Sequence, residues 1–404
     1  MIKIIFIWRN LLIILLIILI SSCKRTKTIK NEQKYFVNNE KKIIIKDETL
    51  NMSKFFKSVE YKIFNIPDSI VIGEITSYFK LGNYQILIDH RYSKAIYLFD
   101  EQNNFLKKIK KLGEGPEEYK KIVSSSIDEK GKRILIFDRR MIKIYSFPDF
   151  KYLKSIDVRG KGAFADMIYF ANNIYLYSIS RFSNKLGMLS RININSEESV
   201  TLIREVPEIL DKTSWIGKKQ FSIFNDTLYF VPSFSKNFYI IDSLGNISIK
   251  FKIINEDIIP DYSRFLKEKI NKVKLIYKIS DYYSIIYTLF LAKPDLLCLS
   301  IPYKKKQYFS YSNINSNSLI FYSKRINDIG NNISTYFLLG NFVYNNINRY
   351  VESVQPDELN KIIYKIKKDE RIKQMLSERK LTNIPDSLLQ KLGHKKIPII
   401  LIYY

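Results

Sequence analysis

An internal repeat constrains this chain more than any other feature. Ser93-Lys94-Ala95-Ile96-Tyr97-Leu98-Phe99-Asp100, followed by Asn104, aligns without gaps to Ser235-Lys236-Asn237-Phe238-Tyr239-Ile240-Ile241-Asp242, followed by Asn246. The offset of 142 residues is close to three spacings of about 47, and the first of those spacings is occupied. Ile86-Leu87-Ile88-Asp89 matches Leu135-Ile136-Phe137-Asp138, Tyr97 and Phe99 match Tyr145 and Phe147, and Phe105-Leu106-Lys107 matches Tyr152-Leu153-Lys154. A degenerate copy follows in Ile174-Tyr175-Leu176-Tyr177 and Met188-Leu189-Ser190-Arg191-Ile192. Short apolar-alternating runs at a 40–50-residue period read as propeller blades, each burying its sheet faces against its neighbours. Within one unit the strands are expected near 71–78, 84–89, 94–99 and 105–110, with Asp100 to Asn104 as a hairpin loop.

The pattern breaks at about 257–279. There Pro260-Asp261 reads as a helix start, and Tyr262, Leu266, Ile270, Val273 and Tyr277 share one helical face. A second helix is expected at about 356–380, with Leu359, Ile362, Ile363, Ile366 and Met375 inward. The closing Ile397-Pro398-Ile399-Ile400-Leu401-Ile402-Tyr403-Tyr404 reads as a buried strand able to pair near the N-terminal side, removing two sheet edges. Setting the helices aside leaves room for about six units. The expected fold is therefore all-β, a six-bladed β-propeller with two helical insertions over residues 56–404.

Residues 1–22 read as a signal peptide: Lys3 and Arg9 precede an apolar run, Leu11 to Ile20, too short to span a bilayer comfortably. Ile20-Ser21-Ser22-Cys23 resembles the lipobox of bacterial lipoproteins, which implies cleavage before Cys23, its acylation and a lipid anchor. Residues 23–55 then read as the lipidated Cys and a polar, basic tether starting Lys24-Arg25-Thr26-Lys27. Basic rather than acidic residues after the Cys favour an outer-membrane lipoprotein facing the periplasm over one exposed at the cell surface.

The net charge of +26 is not gathered on a recognisable nucleic-acid module, so no nucleic-acid partner is expected. It fits either solvated Lys-rich faces or a surface held against anionic lipid or acidic glycan. Two cysteines, Cys23 and Cys298, give no disulfide framework, and two histidines, His90 and His394, leave no metal site of the His/Cys kind. Cys298, between Leu297 and Leu299, reads as a core residue. No cofactor is expected, because no phosphate-binding glycine loop and no nucleophile elbow is present. Asp89 and Asp138 occupy equivalent unit positions near strand ends, and with His90 they mark the candidate binding face. Either they serve as acid and base, or they cap loops by accepting backbone N–H bonds. Trp215 is a candidate for sugar stacking.

Between the first two units lies Gly113-Glu114-Gly115-Pro116-Glu117-Glu118-Tyr119. The glycines permit positive φ, and Pro116 stops strand pairing, so the residues alone describe a sharp turn. In this position Gly113, Gly115, Pro116, Glu118 and Tyr119 also resemble the G-x-G-P-x-E-Y motif of the bacterial six-bladed β-propeller lipoproteins. Softer matches are Ile72-Gly73-Glu74-Ile75, Asp226-Thr227-Leu228-Tyr229 and Ile397-Pro398-Ile399-Ile400-Leu401, where Ile397 replaces the family's Asn. The resemblance implies an exported, lipidated propeller and supplies no catalytic residues. The function expected is a non-enzymatic binding or scaffold module, anchored to the membrane by its N-terminal lipid, for a glycan or envelope protein partner. The alternative is a carbohydrate-active hydrolase or lyase using carboxylates in the central cleft.

Overall fold

The repeat reappears in three dimensions as a set of antiparallel meanders. A computed structural model describes residues 39–179, 186–209, 219–255, 265, 267, 272–279, 288–293, 295–304, 306–326, 341–342, 344–347, 349–354 and 399–404. Cys23, Trp215 and the expected helix at 356–380 lie outside the described residues. The chain opens with β1 (Glu40–Asn51) and β2 (Val59–Ile63). The first meander is β3 (Ser77–Leu81), β4 (Tyr84–Asp89), β5 (Ala95–Phe99) and β6 (Phe105–Ile109). The second is β7 (Ser124–Asp128), β8 (Arg133–Phe137), β9 (Met141–Ser146) and β10 (Tyr152–Asp157). The third is β11 (Phe164–Phe170), β12 (Asn173–Ser178), β13 (Leu189–Asn193) and β14 (Ser199–Ile203). β15 (Phe221–Phe224), β16 (Thr227–Phe230), β17 (Asn237–Ile241) and β18 (Ile247–Ile253) follow. After α1 (Lys272–Ile279) come β19 (Thr288–Lys293), β20 (Leu296–Tyr303), β21 (Lys306–Asn313) and β22 (Ser318–Ile326). The last strands are β23 (Asn341–Phe342), β24 (Tyr344–Asn345), β25 (Tyr350–Val354) and β26 (Ile399–Tyr403).

The six-bladed propeller with two helical insertions is not what these strands form. They make five sheets: β7–β10, β11–β14, β2-β26-β25-β23, β24-β3-β4-β5-β6, and one sheet of nine strands. The four smaller sheets form a four-bladed, propeller-like arrangement, and the nine-stranded sheet curls beside them. The physical reason is β1. It pairs in parallel with β18 at Glu40↔Lys252 and Lys41↔Ile253, then with β22 from Lys42↔Ser318 to Asn51↔Ile326. Two outer edges are thereby welded into one sheet, which satisfies both rows of open backbone groups. Residues 40–51 fall inside the stretch expected as tether. Their Lys-rich composition disguises a strand whose Ile43 and Leu50 are buried and whose β-branched run Ile43-Ile44-Ile45 suits a pleated surface. Helix is almost absent from the described residues: α1 is one eight-residue helix, Lys272–Ile279.

Several local readings hold. β4 occupies the expected 84–89, and β5 and β6 fall within a residue of theirs, whereas the first strand of that unit is 77–81 rather than 71–78. The two aligned hairpin loops are superimposable in their bonding. Asn104 N donates to Asp100 Oδ1 at 2.7 Å and its Nδ2 to Oδ2 at 3.0 Å; Asn246 does the same to Asp242 at 2.8 and 2.9 Å. Tyr97 and Tyr145, matched by the repeat, each donate to the backbone leading into their own unit, at Val71 O (2.9 Å) and Glu117 O (2.8 Å). Cys298 is buried in the core.

The closing strand does pair near the N-terminal side. β26 runs antiparallel to β2, from Val59↔Tyr403 to Ile63↔Ile399, and to β25 on its other side. First and last strands of the propeller-like part thus share one sheet, with Val351, Ile400, Ile402 and Phe64, which follows β2, packed against Tyr78, Leu87 and Tyr97 of the next.

Leu401 is fully buried in this closing strand. Leu401→Ala should cost about 2–5 kcal/mol by the loss of transfer energy and the cavity left behind. A urea titration would show this as a lower midpoint, while Leu106→Ala, at a 47% exposed site, should shift it by less than about 0.5 kcal/mol.

Candidate functional site

In an antiparallel meander the first strand starts, the second ends and the third starts at one end of the sheet. That topology gathers the start of β3 and β7, the loops after β4, β8 and β16, and the segment between β6 and β7 on one face of the molecule. Asp89, His90, Asp138 and the Gly113–Tyr119 motif all lie on it.

The two carboxylates cap loops. Asp89, fully buried, accepts four backbone N–H bonds, from Gly73 and Ser93 on Oδ2 at 3.0 Å and from Arg91 and Tyr92 on Oδ1 at 2.9 Å. Burial raises its carboxyl, but the hydrogen bonds from Ser93, Tyr92 and Arg91 outweigh burial and hold it below the ordinary value. Asp138 accepts from the N–H of Arg140 (3.0 Å) and Met141 (2.8 Å). Each therefore shapes the loop behind its strand.

His90 does face inward. Its Nε2 lies 2.9 Å from Ser125 Oγ, which is 3.3 Å from Ser77 Oγ on the neighbouring sheet. Burial first, and the Lys219 ammonium second, hold the imidazole pKa well below its ordinary value, so the ring is neutral at neutral pH. Next to it, Ser124 Oγ donates to Asp166 Oδ1 at 2.7 Å. Lys219 Nζ stands 3.5 Å from the same oxygen and 3.4 Å from Ser124 Oγ, and Gln220 N donates to Asp166 Oδ2 at 3.3 Å. β7, β11 and β15 lie against one another in that order, so these contacts step from sheet to sheet across the inner strands. The result is a buried polar belt of serines, a neutral histidine and a Lys–Asp pair. Sequence reasoning found His90 and missed Ser77, Ser124, Ser125, Asp166, Lys219 and Gln220. The visible signal was Ser124-Ser125-Ser126, three serines in a strand where apolar residues would otherwise fill a core.

The motif segment works as a clasp. Glu118 folds back so that its Oε2 accepts from Gly115 N at 2.9 Å. A Cβ on Gly113 would lie 1.8 Å from that oxygen. Neither Gly113 nor Gly115 has positive φ, so space for the Glu118 carboxylate, not left-handed backbone, calls for glycine at 113. Tyr119 is buried and donates to Lys94 O at 3.1 Å, while Pro116 O accepts from Lys143 Nζ at 2.5 Å. The segment thus ties the first meander to the second.

A cleft of about 710 Å³ opens where β14 and the loop before β17 meet. Met188, Ile203, Val206, Phe234 and Tyr239 form its apolar lining, and Arg204, Glu205, Glu208 and Lys236 are its charged residues. Phe234 holds φ at 61°, a conformation a bulky side chain rarely adopts and one that concentrates at binding sites. Among the described residues no group of three His, Cys, Asp or Glu is placed to hold a metal ion.

Fold and face together define an all-β, propeller-like protein with a buried polar belt and a cleft. Residues 35–384 match the family described as Domain of unknown function (DUF4934), and the chain belongs to that family. Among solved structures it is similar to a protein of Bacteroides fragilis NCTC 9343 assigned as exported, with a TM-score of 0.64 at 13% identity over 90% of this chain and 98% of that one. It is also similar to a member of the DUF4221 family from Bacteroides vulgatus ATCC 8482, with a TM-score of 0.46 at 12% identity over 86% and 98%. No curated protein matches its sequence.

Two outcomes follow from these contacts. With its folded pKa lowered, His90 contributes stability that is full above about pH 6.5 and is lost as pH falls below it. Its ring resonances should remain those of neutral imidazole at pH 6.5 by NMR, and His90→Gln should flatten that part of the stability profile. Gly113→Ala should displace the Glu118 carboxylate from Gly115 N and cost about 0.5–1.5 kcal/mol, the worth of that hydrogen bond, and in a Glu118→Ala background the cost should largely vanish in a denaturant-monitored double-mutant cycle.

Proposed function

We propose that this chain is a lipid-anchored envelope module that binds a protein or glycan partner on the face described above and performs no chemistry there. The carrying observation is that Asp89 and Asp138 are occupied by backbone N–H groups and Asp166 by Lys219. A hydrolase acting by paired carboxylates needs two that face one another across a substrate. The cleft falls within the usual size range for ligand sites, and its apolar floor and charged rim suit an amphipathic surface. The lipobox ending at Cys23 and the fold likeness to a protein assigned as exported support the envelope location. The basic residues after Cys23 favour the periplasmic side of the outer membrane.

Thermal unfolding of the chain from Lys24 onward, scanned against glycans and peptidoglycan fragments, tests the reading together with crosslinking in intact membranes. A ligand binding only the folded state at 100 times its Kd adds about 2.7 kcal/mol of stability. Lys219→Met and Glu205→Lys, scanned alongside, report whether the belt or the cleft holds it. The reading predicts a stabilising partner released unchanged. Turnover of a glycan that stops with Asp166→Asn would replace it with the hydrolase or lyase reading.

A further inference from the structure

The outer side of the curled sheet carries a feature that partner binding at the loop face leaves unused. Along β1, alternate residues face the two sides of the sheet. Ile43 is buried, whereas Lys42 is exposed and Ile44 is 42% exposed. Register places Ile44 beside Ile320 and Lys46 beside Tyr322 of β22, and Glu40 beside Lys252 of β18. In β18, Ser248, Lys250 and Lys252 face outward between the buried Ile247, Ile249, Phe251 and Ile253. Lys324 is exposed on β22. The face is thus an apolar strip, Ile44 with the half-buried Ile320 and Tyr322, flanked by lysines on three strands. Glu48 reaches Lys46 at 3.7 Å and Asp47 reaches Lys306 at 3.8 Å at its edge; with Glu40 these carboxylates leave cations in excess. Lysines bordering exposed aliphatic and tyrosine side chains suit the boundary of a bilayer, where apolar groups sink and ammonium groups meet anionic headgroups.

The course of the chain points the same way. β1 is the first described strand, and only sixteen residues separate Glu40 from Cys23. Fully extended, such a stretch spans at most about 60 Å, so an acylated Cys23 would keep this face near the membrane.

We propose that the outer face of β18, β1 and β22 docks on an anionic bilayer surface, with Lys42, Lys250 and Lys252 as headgroup contacts and Ile44 as the inserted residue. The proposal rests on the anchored reading for its proximity to a membrane. Its charge and apolar strip act without the lipid, so the two can be tested apart.

The test is flotation of the complete mature chain carrying Cys23→Ser with vesicles of phosphatidylcholine alone or mixed with phosphatidylglycerol. Binding is expected to the mixed vesicles and not to the neutral ones, and to weaken as salt rises. Lys42→Glu with Lys250→Glu should lower that binding roughly tenfold or more, and Ile44→Ser should lower it while keeping its salt dependence. Lys130→Glu with Lys151→Glu makes the same charge change at exposed positions elsewhere and should leave most of it. Equal loss in both pairs would show a general effect of net charge and overturn the proposal, as would no binding to mixed vesicles or equal binding to neutral ones. A thermal melt of each variant identifies any that fails to fold; Lys252→Glu with Ile44→Ser then repeats the test. Palmitate labelling of the wild-type chain reports Cys23 acylation separately, so the anchor and the docking face can fail independently.

Discussion

Parallel pairing of one strand with two others governs this architecture. β18 and β22 each end a meander with an open edge, and an open edge is a row of unpaired donors and acceptors. β1 covers both, first at Glu40 and Lys41 against β18 and then from Lys42 onward against β22. Ile43 accepts and donates through Asn255, whose Oδ1 takes the Ile43 N–H and whose Nδ2 reaches Ile43 O at 3.1 Å. The bonds bridge the point where β1 passes from one partner strand to the other. The nine-stranded sheet, the burial of Lys41 over the Phe251 ring and the presentation of lysines on the outer side all follow from this placement.

What the sequence made legible was periodic and local. The gapless match of 93–104 to 235–246 predicted two equivalent loops, and both Asp–Asn clasps close with the same two bonds. The apolar run at the C-terminus predicted a strand seeking a partner, and β26 finds β2. What stayed hidden depended on contacts far apart in sequence. β1 resembled a tether because half of its side chains face water and several of those are lysines; only β18 and β22, some 200 residues and more away, show which half is buried. Counting units by length could not reveal that two of them would share one sheet.

The candidate site shows the same division. Equivalent unit positions correctly paired Asp89 with Asp138, and local chemistry explains both as loop caps, because a carboxylate at a strand end meets several free N–H groups within four residues. The reason for Gly113 was misjudged because backbone freedom is the usual reason for glycine in a turn, whereas here Glu118, five residues on, needs the volume. The belt residues escaped notice because serine carries little signal of its own. Ser77, Ser124 and Ser125 become a site only when three sheets bring Ser125 within hydrogen-bond distance of Ser77 and His90, and Ser124 within that of Asp166.

That belt also bears on what the molecule can do. A largely buried Lys–Asp pair seldom adds net stability over an apolar replacement, since desolvation of two charges offsets their attraction. Neighbouring sheets could meet through apolar side chains alone, as Ile136, Ile168 and Phe230 of three different sheets do in the main core. Retaining Lys219, Asp166, His90 and three serines where the inner strands converge therefore asks for a reason beyond packing. The binding role proposed above supplies one. Such a role needs no proton transfer from the carboxylates, which suits a site where burial and Lys219 keep His90 neutral and every nearby Asp already has its partners.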